Sequence, residues 1–399
     1  MSPPPTLIRT VLILCGPAAL VAVAIDTFLP TMHAMATDLG VSVGEIQISL
    51  GVFSAGVAFG QIPSGPLSDR FGRRPVLLGG LMVFFLTALG CAWTENITAL
   101  YLLRFLQGIA GATAMVVVRS VGRDLFGTTD SARLFGYLFF FISLMPVLGP
   151  MIGGNFTAWF GWRSVFIYMA IYAGVFLTVI WLTMAESLPA KDTRALQPIN
   201  LAQDYITILR DRTFLAFTVC GIGIFIGLFS LFGGLPAVLT GMMGQTPAEL
   251  GYLWATLMTF HMVAAAASGR LVDMIGIKNQ AAIGVVVMLG GGLSFLALAL
   301  ADVTTVSALI FPGAAVAVGF ALTMPPITAG ALANFRNMAG RATSLMGFIH
   351  IGTGALVVTL LGILDDGGQM PLAYFLALAG CSATLGYIFL IRPAPLSLE

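Results

Sequence analysis

Apolar stretches of 18 or more residues recur from Val11 to Ile391, separated only by short polar breaks. A helix rises 1.5 Å per residue and the hydrocarbon core of a bilayer is about 30 Å thick, so each stretch is long enough to cross it. The chain is 58% hydrophobic and only 9% charged, where ordinary soluble domains carry roughly 25% charge. A water-soluble fold cannot hide that much apolar surface, and no break leaves room for a large soluble domain. The N-terminal MSPPPTLIRT runs into an apolar segment too long for a signal peptide and without a cleavage site, so it is read as the first span.

The breaks place spans near residues 11–33, 46–67, 76–93, 98–123, 132–155 and 162–184, then 213–238, 248–271, 280–300, 305–331, 340–363 and 371–392. The expected fold class is therefore all-α and integral to the membrane, with twelve transmembrane helices in two six-helix bundles. The bundles are residues 1–184 and 213–399, joined by a polar linker at 185–212. Of the 18 Lys and Arg, fifteen fall at one side if the N-terminus is cytoplasmic, among them Arg9, Arg123, Arg133, Lys191, Arg194, Arg336, Arg341 and Arg392. Arg163 alone falls at the other side, and Arg104 and Arg119 lie inside the fourth span. Positive charge is enriched in cytoplasmic loops, which puts both termini inside.

An internal repeat ties the halves together. Gly65, Leu67, Asp69 and Gly72 recur as Gly269, Leu271, Asp273 and Gly276, 204 residues later and between the second and third spans of each half. Duplicated halves suit a transporter that rocks two bundles about a site near the bilayer midplane.

Composition excludes other classes. A net charge of +1 without a basic stripe gives nucleic acid no footprint. Cys15, Cys91, Cys220 and Cys381 lack metal-ligand spacing and read as small core residues. Neither an HExxH motif nor a set of nucleophile, base and acid points to an enzyme. No cofactor or metal is expected.

Asp26 is the one acid well inside a span, where a charge costs several kcal/mol unless paired or protonated. By helix rise it lies roughly 22 Å above the inner end of span 1, about the height of Arg104 in span 4. The two are expected to share one cavity, either as a carboxyl whose protonation switches with its surroundings or as a static ion pair. Arg104, Gln107, Gly108, Gly111 and Met115 follow at spacings of three and four, a polar and small-residue stripe on one helix face. Arg119 is near enough the inner end to snorkel.

The loop GPLSDRFGRRP holds Asp69, Arg70, Gly72, Arg73 and Arg74 in a segment too short to do more than bridge helix ends; Asp69 is expected against a helix N-terminus. Span 5 concentrates Pro146, Gly149, Pro150, Gly153 and Gly154, a hinge or a close helix contact, and Pro325 and Pro326 stand in span 10. His261 and His350 are either hydrogen-bonded packing elements or contacts to substrate, a second proton or a metal chelate; without an acidic partner they do not point to a bare metal ion. His33, at the outer edge, is expected to be solvated.

These motifs resemble the major facilitator superfamily, most closely its bicyclomycin and chloramphenicol resistance type, the drug/proton antiporters. The resemblance rests on DTFLPTM, GPLSDRFGRRP, RFLQGIAGATAMVVVRSVGRDLF, GPMIGG and GWRSVF, and covers the first half most fully. It implies proton coupling by Asp26 and Arg104, with Gln107 and Gly108 beside them. It implies a latch of Asp69, Arg70, Gly72, Arg73 and Arg74 with Asp124, and an antiporter motif at Gly149, Pro150, Gly153 and Gly154. Met145 departs from the glycine usual there, and GRLVDMIGIKN in the second half has lost most of the arginines. The implied activity is export of small amphipathic molecules in exchange for protons by a monomer in a bacterial inner membrane. Asp26, Gln107, Met115, His261 and His350 are the candidate substrate contacts. Carriage of a siderophore or metallophore, in either direction and with His261 and His350 in the site, is the alternative.

Overall fold

The computed structural model describes residues 6–126, 128–188, 190–191, 198–335 and 338–393. Arg194, Arg336 and residues 189 and 192–197 of the expected linker lie outside these residues.

The first half comprises α1 (Leu7–Asp26), α2 (Met32–Leu39), α3 (Val43–Phe71), α4 (Arg73–Trp93), α5 (Ile97–Leu125), α6 (Thr128–Phe160) and α7 (Arg163–Thr183). Then come α8 (Pro198–Arg210), α9 (Arg212–Ala237), α10 (Pro247–Leu300), α11 (Val306–Leu332), α12 (Ala339–Ile363) and α13 (Met370–Gly386). Among the described residues eleven helices or helix runs are long and apolar enough to span a membrane. At 1.5 Å per residue the 54 residues of α10 would reach about 81 Å, far more than one crossing. The helix breaks at Gly276, with φ 79° and ψ 164°, and so supplies two crossings, making twelve.

Two expectations need correction. The first span does not stop at residue 33: a 3₁₀ turn at Leu29–Thr31, with Pro30 near its start, carries the chain into α2 and on to Leu39. Proline at the first turn of a helix forfeits no hydrogen bond, so it redirects the chain without ending it. The linker also contains a helix, α8.

The 204-residue repeat extends into the backbone. Gly72 (φ 109°, ψ 153°) and Gly276 share a conformation that is essentially closed to side chains. Ser42 and Glu45 form a capping box that starts α3, and Thr246 and Glu249, again 204 residues on, form one that starts α10.

The halves meet mainly through α3 with α12 and α6 with α10. Glycine permits both contacts. Gly44 lies on the carbonyl of Gly362, Gly154 on that of Pro247 and Gly251 on that of Pro150. All three approaches lie toward the helix ends remote from the termini. Of the four cysteines, Cys91 and Cys220 are buried as expected, but Cys381 lies on an exposed face of α13.

Candidate functional site

Asp26 closes α1. The amide and hydroxyl of Thr27 both donate to the carbonyl of Val23, at 3.2 and 2.7 Å, and the next amide, that of Phe28, turns to the Ile25 carbonyl at 3.1 Å, which ends the α-helix just after the acid. Asp26 is 2% exposed. It packs on α6: a Cβ added at Gly149 would stand 2.6 Å from the Asp26 Cβ, and one at Gly153 would strike the Thr27 carbonyl. Two glycines four residues apart thus make a flat strip for the backbone that carries the acid. The helix runs unbroken through Pro146 and Pro150, and the next glycine, Gly154, touches α10 of the other half.

Arg104 is fully buried on α5, but not against Asp26. No hydrogen bond or ion pair joins the two, and the static pair considered above is absent. Instead the guanidinium lies over the rings of Phe53, Phe28 and Phe166, at 4.2, 4.5 and 5.8 Å from their centroids. Its Nη1 donates to Gln107 Oε1 at 2.8 Å, while Nε and Nη2 have no partner. Cation–π attraction strengthens when the site is desolvated. The cation is therefore held by rings while two of its donor atoms stay unspent. Gly108 packs on the Phe53 carbonyl and Gly111 on Val21, so the small residues of the stripe serve helix contact. Met115 is half-buried further along.

The second half builds a different interior. His350 is fully buried; its Nε2 lies 3.0 Å from the Thr218 carbonyl and so carries the proton, which leaves Nδ1 a buried acceptor without a donor. The imidazole stacks on Phe225 at 4.7 Å. Phe225 meets Phe320 at 5.3 Å, and Phe320 meets His261 at 5.9 Å, so the two histidines are the ends of one chain of rings. His261 Nδ1 bonds the Ala317 carbonyl at 3.0 Å. Along α9 the rings continue through Phe229 and Phe232 to Trp254, whose indole nitrogen is buried and unpaired. Phe225, Phe229 and Phe232 were not among the expected site residues, although their spacing of four and three is visible in the chain.

At the end bearing the termini, Arg73 organises the loop. It donates to Asp124 at 2.8 Å and Ser68 at 2.6 Å and pairs with Asp69. Asp69 does not sit at a helix N-terminus as expected. That position belongs to Glu186, beyond α7, which accepts from the backbone N–H of Arg73 at 2.9 Å and of Arg74 at 3.3 Å. The loop ties α3, α4, α5 and the end of α7 within one half. Arg70 lies over Phe71 at 5.7 Å. In the second half Asp273 forms no ion pair among the described residues. One tie persists: Arg74 Nη2 donates to the Trp181 carbonyl at 2.7 Å, and Lys278, 204 residues later, donates to the Arg392 carbonyl at 3.3 Å. Arg163 pairs with Asp38 at the opposite end, and His33 is exposed. Among the described residues no group of three His, Cys, Asp or Glu is placed to hold a metal ion.

The family model described as Major Facilitator Superfamily matches residues 14–359. A bicyclomycin resistance protein homolog of Haemophilus influenzae is 26% identical over 371 residues, 92% of each chain. A chloramphenicol resistance protein of Pseudomonas aeruginosa is 27% identical over 365 residues, 89% of this chain and 85% of its own. Among solved structures, the inward open conformation of the xylose transporter XylE from E. coli superposes with a TM-score of 0.74 at 17% identity, covering 99% of this chain and 98% of that one. A POT family transporter in complex with 5-aminolevulinic acid gives 0.79 at 13% identity, covering 98% and 97%.

Proposed function

The chain belongs to the major facilitator superfamily, and on that premise we propose that it exports small amphipathic compounds in exchange for protons. It is a multi-pass membrane transporter with relatives named for resistance to bicyclomycin and chloramphenicol. The observation that carries the reading is Asp26: a buried carboxyl at the end of α1, seated on the Gly149–Gly153 strip, with no ion pair among the described residues.

An ionised carboxylate in such surroundings costs several kcal/mol unless it gains a cation or a proton. Arg104, with two donor atoms unspent, is the cation available in the same half. In the coupling cycle Asp26 alternates between a proton and Arg104, and α6 conveys the change to α10. Each proton entering down 100 mV supplies about 2.3 kcal/mol, enough to sustain a gradient of roughly forty-fold. The ring chain from His350 to Trp254 is the substrate wall. Its faces suit planar apolar groups, and the Nδ1 acceptor of His350 and the indole donor of Trp254 supply polar selectivity. The loop around Arg73 acts as the latch, both termini are cytoplasmic, and the membrane is a bacterial inner membrane.

The test is a solute screen in proteoliposomes under an imposed pH gradient. Compounds that drive proton movement in the native protein and not in Asp26→Asn support the proposal. Coupled transport retained in Asp26→Asn, or no solute that moves protons, would refute it.

A further inference from the structure

On the outer surface of the first half, α4 and α7 leave a groove of about 470 Å³ lined by Leu78, Gly79, Met82, Leu177, Thr178 and Trp181. That volume lies within the roughly 300–1,000 Å³ of ordinary ligand sites. Its one hydroxyl, Thr178 Oγ1, donates to the Gly174 carbonyl at 2.9 Å, so the walls offer a ligand only apolar contact. A Cβ at Gly79 would meet nothing within 4 Å, which leaves the floor open.

One end of the groove is charged. Arg74, Leu78 and Met82 follow at intervals of four and share one face of α4, so the groove starts beneath Arg74 and runs about 12 Å along the helix. The guanidinium is fixed there by its bond to the Trp181 carbonyl. Its Nε is buried without a partner, and Arg74 forms no ion pair among the described residues. The nearby Glu186 is turned away from it, onto the backbone amides of Arg73, Arg74, Ser187 and Leu188. Asp69 and Asp124 are taken up by Arg73. A cation without an acidic partner among the described residues thus caps an apolar slot that runs parallel to the helices from one end of the spans.

We propose that this groove binds an anionic glycerophospholipid, with an acyl chain between α4 and α7 and the phosphodiester on Arg74. The site is independent of what the protein transports. The phosphodiester accepts from a planar cation that offers several parallel donors, and the bilayer supplies chains already aligned with the slot.

Trp181 lines the groove and reports on it. Tryptophan fluorescence is recorded in phosphatidylcholine vesicles containing a minor fraction of brominated phosphatidylglycerol or brominated phosphatidylcholine, and the signal of Trp181→Phe is subtracted. The expected result is several-fold stronger quenching of Trp181 by the brominated phosphatidylglycerol. Arg74→Gln should abolish that preference and Arg74→Lys should retain much of it. Gly79→Leu should fill the slot and weaken quenching by both lipids, and inorganic phosphate in the buffer should leave the preference intact. Equal quenching by the two lipids in the native protein would overturn the proposal. So would a preference that survives Arg74→Gln or is removed by free phosphate.

Discussion

The first half of the molecule buries a full cation and a full acid and keeps them apart; the second strings a buried and a part-buried imidazole on a line of rings. Arg104 is wrapped by Phe28, Phe53 and Phe166, while His350 and His261 are joined through Phe225 and Phe320. Both halves keep the same skeleton: the capping boxes of α3 and α10, the special backbone at Gly72 and Gly276, and the cation-to-carbonyl ties of Arg74 and Lys278. The features that shape the backbone persist in both halves, and those that carry charge differ. Under the function proposed above, that division would place energy coupling in the first half and selectivity in the second.

The sharpest way to break the division is to exchange the phenotypes. Asp26→Asn should collapse the solute gradient in proteoliposomes from the roughly forty-fold that one proton per 100 mV sustains to none. His350→Gln should raise KM several-fold and leave the proton stoichiometry unchanged; loss of coupling there, or retention in Asp26→Asn, would reverse the assignment.

Next is the pair Gly72→Ala and Gly276→Ala. Each incurs about 1–3 kcal/mol of backbone strain. A Cβ at position 72 also strikes the Glu186 carboxylate, whereas one at 276 meets nothing within 4 Å. Thermal unfolding in detergent should therefore show the larger loss for Gly72→Ala, and equal losses would mean that Glu186 contributes nothing. Glu186→Gln tests that contribution alone, at about 0.3–1 kcal/mol for a charge at the start of α4.

The smallest effect is at the opposite end, where the halves touch. Asp365, beyond α12, is half-buried, and a Cβ at Gly44 of the first half would stand 3.2 Å from its own Cβ. Burial raises its carboxyl above the usual 3.8, with the neighbouring Asp366 adding to the shift and the Gly367 amide opposing it. The packed state therefore holds its proton more tightly than the unpacked one. Its stability is fullest in acid and declines as pH rises from about 3.8 through the raised value. Unfolding measured across that window should show a slope that Asp365→Asn removes.

The crossings were legible because charge and turn residues mark where apolar runs end, and so was the loop around Gly276, which its repeat marks in the sequence. The extension to Leu39 was not, because Pro30 and His33 interrupt the apolar run while the helix resumes beyond them. Asp26 and Arg104 stood out as charges in apolar sequence, but the company they keep is tertiary. Phe28, Phe53 and Phe166 come from three distant segments, and Glu186 reaches α4 across more than a hundred residues. The ring spacing on α9 was readable, yet among 29 phenylalanines a run of three carries little contrast.

Three glycines within six residues give α6 a mechanical consequence. Gly149 and Gly153 leave no slack against the backbone of Asp26 and Thr27, and Gly154 leaves none against Pro247. In the proposed coupling cycle α6 would act as a push rod: with close contact at both bearings, a shift of the acid's backbone would be passed to the opposite bundle.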